Sequence, residues 1–347
     1  MNDILDDKKE HRKRRKEAKR QDRSKYKKSV REKHGQRLLE ESNQRIENEI
    51  LQRGRVVSIF SEQMLVFSNA TYFTCTLRGV LKKEQLEAKN LVIVGDYVLF
   101  ATTGANEGVI WQVEKRKSIL AKQSKKGNRE QLIAANLDQV LITLAAKEPP
   151  FDIAYLDRAL IATLRGKMKP LIVINKIDLG LTPEVEECIK IYTTLGIPII
   201  QTSHKTGEGI ETLKKKMKNK ASVFVGLSGA GKSSLINSIV ETSLPTQTVS
   251  EKSKQGRHTT TRSSLLHLKF GGFCIDTPGI QDFGVSKLTK QELDDFFSEI
   301  AQMGSLCKFF NCTHSHEPQC AVKKACEQGS LSSLRLSSYL SLLQSIR

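Results

Sequence analysis

Two stretches decide how this chain is read: "IVINKIDLG" at 172–180 and "GLSGAGKS" at 226–233. The first is an apolar, β-branched run that ends in Asn175, Lys176, Ile177 and Asp178. The second follows "ASVFV" and precedes "SLINSIV", so it reads as a strand, a Gly-rich turn and a helix start. Gly226, Gly231, Lys232 and Ser233 fit the spacing G-x-x-x-x-G-K-[ST]. A turn built from Gly226, Leu227, Ser228, Gly229, Ala230 and Gly231 lets successive backbone N–H groups wrap α- and β-phosphates. Lys232 then reaches the β- and γ-phosphates, the Ser233 hydroxyl ligates Mg²⁺, and Ser234 continues the phosphate-binding turn. The following helix turns its positive end toward the anion.

The Asn175–Asp178 run carries base identity. Guanine offers two donors, its ring N–H and its exocyclic amine, and one carboxylate accepts both; Asp178 supplies it. Asn175 serves the far edge of the base and ties neighbouring loops together, while the Lys176 stem lies along the ring. Adenine would leave Asp178 unpaired, and a site built on hydrogen bonds rejects such an analogue strongly. "TSHKTGEG" at 202–209 supports the base through backbone N–H groups around Ser203. "FCIDTPG" puts Asp276 at a strand end, facing Mg²⁺ through water, and lets the Gly279 N–H meet the γ-phosphate. "GRHTTT" at 256–261 is either a plain hydrophilic loop or a mobile one that places a Thr on Mg²⁺ and the γ-phosphate. The ligands expected are GTP and GDP with Mg²⁺.

The order is unusual, because base reading precedes the phosphate loop by about fifty residues. Open α/β sheets bind ligands at the carboxyl ends of their strands, a rule indifferent to chain order. Joining close termini and cutting elsewhere preserves such a site. Circular permutation therefore explains the order better than a chance match.

The chain has 347 residues, room for two or three domains of ~100–200 residues each. Five short β-like runs at 51–117 predict a small barrel, with an OB-fold favoured over an SH3-like barrel; OB-folds often bind oligonucleotides. Residues 118–138 are polar, and "KQSKKGNRE" reads as an exposed linker. Within 118–283, strands alternate with helices, which predicts a mainly parallel sheet covered on both faces. Residues 284–347 become helical and Cys/His-rich, with one helix over "KQELDDFFSEIAQM" and another near 330–346. The expected fold is therefore multidomain: an OB-fold β-barrel, an α/β circularly permuted P-loop GTPase domain, and a small α-helical zinc-binding domain.

Net charge is +18, and residues 8–37 alone hold 16 Lys/Arg against 4 Asp/Glu. Residues 8–37 are too poor in apolar residues to build a core, so the 1–50 arm is expected to be disordered, or helical only when bound; it is either a solvated tail or an arm that neutralises nucleic-acid phosphates, the latter favoured. No apolar run approaches the ~20 residues needed to span a bilayer, and the N-terminus has no signal-peptide pattern. A cytoplasmic monomer with no membrane partner is expected. "CKFFNCTHSHEPQC" gathers Cys307, Cys312, His314 and Cys320, three thiolates and an imidazole suited to a closed structural Zn²⁺ site. His316 is a substitute for His314, and Cys326 falls outside the spacing.

With these motifs in the order NKxD, Ser loop, GxxxxGKS, Thr loop and DTPG, the chain resembles the circularly permuted RsgA (YjeQ) GTPase family. "AANLDQVLI", "NKIDL", "GLSGAGKSSLIN", "GRHTTT" and "DTPGIQDFG" carry the resemblance, which covers roughly residues 50–345. It implies GTP hydrolysis stimulated by the small ribosomal subunit, contact with its rRNA, and a role in its late maturation. It also implies that Thr260 is the Mg²⁺-side residue. His204 departs from the small residue usual in the base-binding loop, and the basic arm extends beyond the common core. Ras-like enzymes orient water with a Gln just after the Gly of the DTPG-type motif, but Ile280 stands here and Gln281 should point elsewhere. Intrinsic hydrolysis should be slow. His258 is the best substitute, as orienter of water or as base, and the resemblance points to it too; its alternative role is packing or contacting RNA. Two other functions stay open: an RNA-binding assembly factor that holds GTP with negligible hydrolysis, and an ATP-driven RNA enzyme, which Asp178 argues against.

Overall fold

The computed structural model describes residues 50–79, 81, 91–123, 130–240, 264–276 and 288–346. The chain from Arg53 to Arg347 clusters as one compact unit. The basic arm at 1–49 lies outside the described residues.

Strands β1 (Gln52–Phe60), β2 (Gln63–Ser68), β3 (Thr71–Leu77), β4 (Tyr97–Thr102) and β5 (Glu107–Val113) close into a barrel in the order β1-β2-β3-β5-β4. β3 and β5 run parallel, the other strand pairs described antiparallel. Alternation fills the interior: Val56, Met64, Val66, Cys75, Val98, Phe100 and Ile110 are buried inside. This is the five-strand, OB-like barrel expected from the sequence.

The expected linker instead contains two strands, β6 (Ile119–Gln123) and β7 (Glu130–Ala135), paired antiparallel. The charged run that suggested a linker lies largely at 124–129, outside the described residues. The flanks alternate, and Leu120 and Ala134 enter the main core fully buried.

The central domain follows as β8 (Gln139–Ala145), α1 (Ile153–Arg165), β9 (Lys169–Asn175), α2 (Pro183–Thr194), β10 (Ile199–Gln201), α3 (Ile210–Met217), β11 (Ala221–Val225), α4 (Lys232–Ile239), β12 (Ser264–His267) and β13 (Phe273–Asp276). Sheet order is β10-β9-β8-β11-β13-β12, parallel except for the edge strand β12. β8 and β11 are buried at every residue, because helices cover both faces. Asp152 caps α1 by accepting from the Tyr155 N–H at 2.9 Å, and Leu156, Ala159 and Leu160 face the core.

Among the described residues, four helices follow β13: α5 (Lys290–Phe296), α6 (Ser298–Gly304), α7 (Ala321–Glu327) and α8 (Ser333–Ile346). The single helix expected from Lys290 onward is two, because Phe297 leaves helical geometry (φ −102°, ψ 51°) and buries its ring in the local core. Thr289 and Glu292 form a capping box at the start of α5. Polar contacts lock these helices to the central domain. Arg335 is 2% exposed and donates to Asp157 of α1 at 2.7 Å and to Glu299 of α6 at 2.8 Å. Its guanidinium lies 3.9 Å from the centroid of Phe297, and the Tyr192 hydroxyl of α2 donates to the same Asp157 oxygen. Arg165 pairs with Glu292 at 2.6 Å, and Ser332 donates to Glu187 at 2.7 Å.

Candidate nucleotide site and metal centre

The carboxyl ends of β8, β9 and β11 meet at one rim of the sheet, and the sequence-distant motifs converge there. Asn175, the last residue of β9, is fully buried. Its Nδ2 donates to the Ala230 carbonyl in the phosphate loop at 3.0 Å, and its Oδ1 accepts from Thr202 Oγ1 at 3.3 Å. One side chain thus joins the Asn-Lys-x-Asp turn, the Ser203 loop and the phosphate loop. Gly231 is forced by this contact: its φ is +85°, and a Cβ there would stand 2.2 Å from Asn175 Nδ2. Gly226 is constrained by close approach, since a Cβ would lie 2.3 Å from the Thr143 carbonyl of β8.

Lys232 opens α4 and donates to the carbonyls of Gly226 and Leu227, both at 2.8 Å. Its ammonium is held across the mouth of the loop, and partial burial lowers its pKa. Ser233 is exposed on the first turn of α4 and Ser234 half-buried, while Ser228 and Gly229 are exposed at the loop's crest and Ala230 is buried. Lys176 takes left-handed geometry (φ 63°) and donates to the Glu148 carbonyl at 2.7 Å, drawing the 146–152 loop to the site.

Asp178 lies in a short 3-10 turn, Ile177–Leu179. It accepts from the buried Ser203 hydroxyl at 2.6 Å, and this hydrogen bond is the main cause that holds its carboxyl below the usual range. A carboxylate fixed in this way is oriented and ionised, as recognition of two adjacent donors requires. The Ser203 loop is closed by Ser203 N–H to the Glu208 carbonyl (3.0 Å) and Gly207 N–H to the Ser203 carbonyl (2.9 Å). His204 is exposed, so its bulk is accommodated outside that turn.

The Asp276 backbone ends β13, in register with Ser264 of β12. His258, Thr260, Gly279, Ile280 and Gln281 lie outside the described residues. Three supporting groups were missed in the sequence: Thr143, Thr202 and the Glu148 carbonyl. Thr202 stood inside a quoted motif, but the other two act through backbone carbonyls, which leave no residue-type signal.

The donor atoms of Cys307, Cys312, His314 and Cys320 all lie within 4.8 Å of one another. Cys307 Sγ is 3.8 Å from Cys320 Sγ, and His314 Nδ1 is 3.6 and 3.4 Å from these two sulfurs. A tetrahedron with Zn–S near 2.3 Å and Zn–N near 2.0 Å requires S···S of about 3.8 Å and S···N of about 3.5 Å. The cluster fits zinc. Burial lowers the His314 pKa, which favours the neutral imidazole that a metal takes. His316 instead contacts Ser315 Oγ at 2.9 Å, and Cys326 lies against the Ser332 carbonyl. Glu317, not foreseen, braces the loop by accepting from Thr313 N–H (2.8 Å), Thr313 Oγ1 (2.6 Å) and Ser315 N–H (3.1 Å); these bonds hold its carboxyl far below the usual range.

Comparison with known proteins agrees with this geometry. The RsgA N-terminal domain model matches residues 53–110 and the RsgA GTPase model residues 113–286. Small ribosomal subunit biogenesis GTPase RsgA of Flavobacterium psychrophilum is 36% identical over 281 residues, spanning 79% of this chain and 86% of that protein. Its counterpart in Chlorobaculum parvum is 40% identical over 270 residues, 75% of this chain and 87% of that protein. Among solved structures, YjeQ from Thermotoga maritima superposes with a TM-score of 0.65 at 31% identity, covering 86% of this chain and 99% of that one. YloQ, described as a circularly permuted GTPase, gives a TM-score of 0.63 at 28% identity, covering 86% and 95%. With its reordered motifs brought to one rim by Asn175, the chain belongs to the RsgA family of circularly permuted P-loop GTP hydrolases.

Proposed function

We propose that this GTPase acts in ribosome biogenesis, binds the small ribosomal subunit through its rRNA, and hydrolyses GTP quickly only when bound there. The Asn175–Ala230 hydrogen bond carries the nucleotide reading, because it joins base-reading and phosphate-binding loops into one site. In this reading Asp178 accepts the two guanine donors and Lys176 lies along the ring. The turn from Gly226 to Ser234 holds the phosphates, with Lys232 on the β- and γ-oxygens. Ser233, Thr260 and, through water, Asp276 hold Mg²⁺, which neutralises developing charge on the phosphates. Gly279 meets the γ-phosphate. His258 positions the attacking water, and subunit binding orders the Thr-rich loop that carries it. Cys307, Cys312, His314 and Cys320 hold a structural Zn²⁺ that fixes the C-terminal helices.

The relatives' names supply the ribosomal context. The basic residues at 8–37 suit an rRNA partner. Among the described residues no helix is long and apolar enough to cross a membrane. Co-sedimentation with purified small subunits tests the binding step: a non-hydrolysable GTP analogue should retain the protein in the pellet more strongly than GDP, and equal or absent retention contradicts it. Ile280, where a water-orienting Gln would stand, favours one second reading, an assembly factor that binds GTP with negligible hydrolysis. Tight GTP binding without subunit-stimulated turnover would identify it.

A further inference from the structure

The hairpin β12–β13 links the two segments that carry the γ-phosphate residues: 241–263 runs into Ser264, and 277–287 leaves from Asp276. Ser264 and Asp276 are paired at the end facing the site, and His267 and Phe273 at the opposite end. Three residue steps separate the two ends, about 10 Å at ~3.3 Å per residue. The far end is gripped by the barrel. Phe67 of β2 sits 5.3 Å from the His267 ring and 5.9 Å from the Phe273 ring, while His267 and Phe273 are 5.3 Å apart. Tyr72 of β3 extends the cluster at 5.0 Å from Phe67. Arg55 of β1, opposite Phe67 in the strand register, is 6% exposed; its guanidinium lies 4.9 Å from the Phe273 centroid and donates to the Asn136 carbonyl. The outer face of the barrel and this hairpin share one core: Phe67, Tyr72 and Phe273 pack against the buried cluster that includes Leu265 and Ile275.

Resting on the GTPase reading above, we infer that Phe67 and Arg55 are positioning residues that couple the barrel to the β12–β13 hairpin, so that nucleotide state at one end resets the barrel strands at the other. A close-packed aromatic contact rearranges between discrete packings rather than stretching. A hairpin with both γ-phosphate segments at one end and the barrel at the other transmits such a rearrangement over a short, stiff path. Coupling of binding free energies is reciprocal, so a partner held by the barrel also biases the hairpin.

Hydrogen exchange on the full chain, with GDP and with a non-hydrolysable GTP analogue, tests this without any ribosome. In the wild type the phosphate loop (226–233), the hairpin (264–276) and barrel strands β2–β3 (63–77) should all differ between the two states, the barrel by at least threefold in rate. In Phe67→Ala the first two differences should persist and the barrel difference vanish, with Phe67→Leu recovering part of it. The single Trp, Trp111 of the barrel, reports by fluorescence whether the variant is folded; should it not be, His267→Ala makes the same test from the other side. A barrel insensitive to nucleotide while the phosphate loop responds overturns the coupling, as does a barrel difference that survives in Phe67→Ala. A phosphate loop that ignores both nucleotides overturns the GTPase reading, and the coupling with it.

Discussion

In the proposed reading the choice of purine rests on one carboxylate, Asp178, which accepts from Ser203 at 2.6 Å. Asp178→Asn turns an acceptor into a mixed donor–acceptor group, so guanine loses one partner and xanthine, with a carbonyl in place of the amine, gains one. GTP affinity should fall roughly a hundredfold and xanthosine triphosphate should become the preferred ligand, since rejection by unpaired buried polar groups is steep. Competition binding checks this; unchanged guanine selectivity contradicts the assignment. The role proposed for His258 concerns a different step. His258→Ala should leave GTP binding within about twofold and lower the subunit-stimulated rate about a hundredfold, the low end for a lost general base or water orienter. Single-turnover kinetics separates the two effects, and an unchanged stimulated rate would return His258 to a packing or RNA-contact role.

Among the elements, α1 and α8 share the most demanding contact. Asp157 is fully buried, and burial pushes its carboxyl up to about 6 despite the Arg335 guanidinium. The folded pKa thus exceeds the unfolded value near ~3.9, so the native state binds more protons across that interval. This group's contribution to stability falls as pH rises from about 4 to about 6, then levels. Arg335→Met removes the cation and raises the carboxyl further. The variant should be only slightly destabilised near pH 5, where Asp157 can protonate, and lose about 3–5 kcal/mol near pH 8, the usual cost of an orphaned buried charge. Urea melts at the two pH values measure it, and a pH-independent loss would contradict the account. Most elements were legible in the sequence because their apolar patterns are long: β8, β9 and β11 are continuous runs, and α1 spaces its core residues at helical intervals. The β6–β7 pair was not, since its alternation covers only a few residues beside a charged run. The break at Phe297 was also hidden, because a Phe within a helix-like pattern gives no sign that its ring must turn inward.

For the whole molecule, residue identity at the site was legible and residue partnership was not. Asn175, Lys232 and Asp178 announce themselves by motif, but the bond from Asn175 to Ala230 spans 55 residues and exists only in the folded sheet. The same limit hid the Phe67–Phe273 contact, between residues of two domains. The basic arm holds 16 Lys/Arg against 4 Asp/Glu at 8–37. Deleting residues 1–48 removes 17 Lys/Arg and 10 Asp/Glu, including the dense basic run at 8–37, so small-subunit affinity should weaken and its log–log salt slope should flatten by several units, each phosphate contact contributing about 0.7–0.9. Titration at several salt concentrations reads that slope, and an unchanged slope would free the arm from any role in RNA binding. The central claim is that this is a GTPase switched on by its ribosomal partner. Phosphate release from GTP, measured at steady state with and without purified small subunits, tests it most directly. The account predicts slow turnover alone and a rise of at least tenfold with subunits; tight GTP binding with no rise would contradict it.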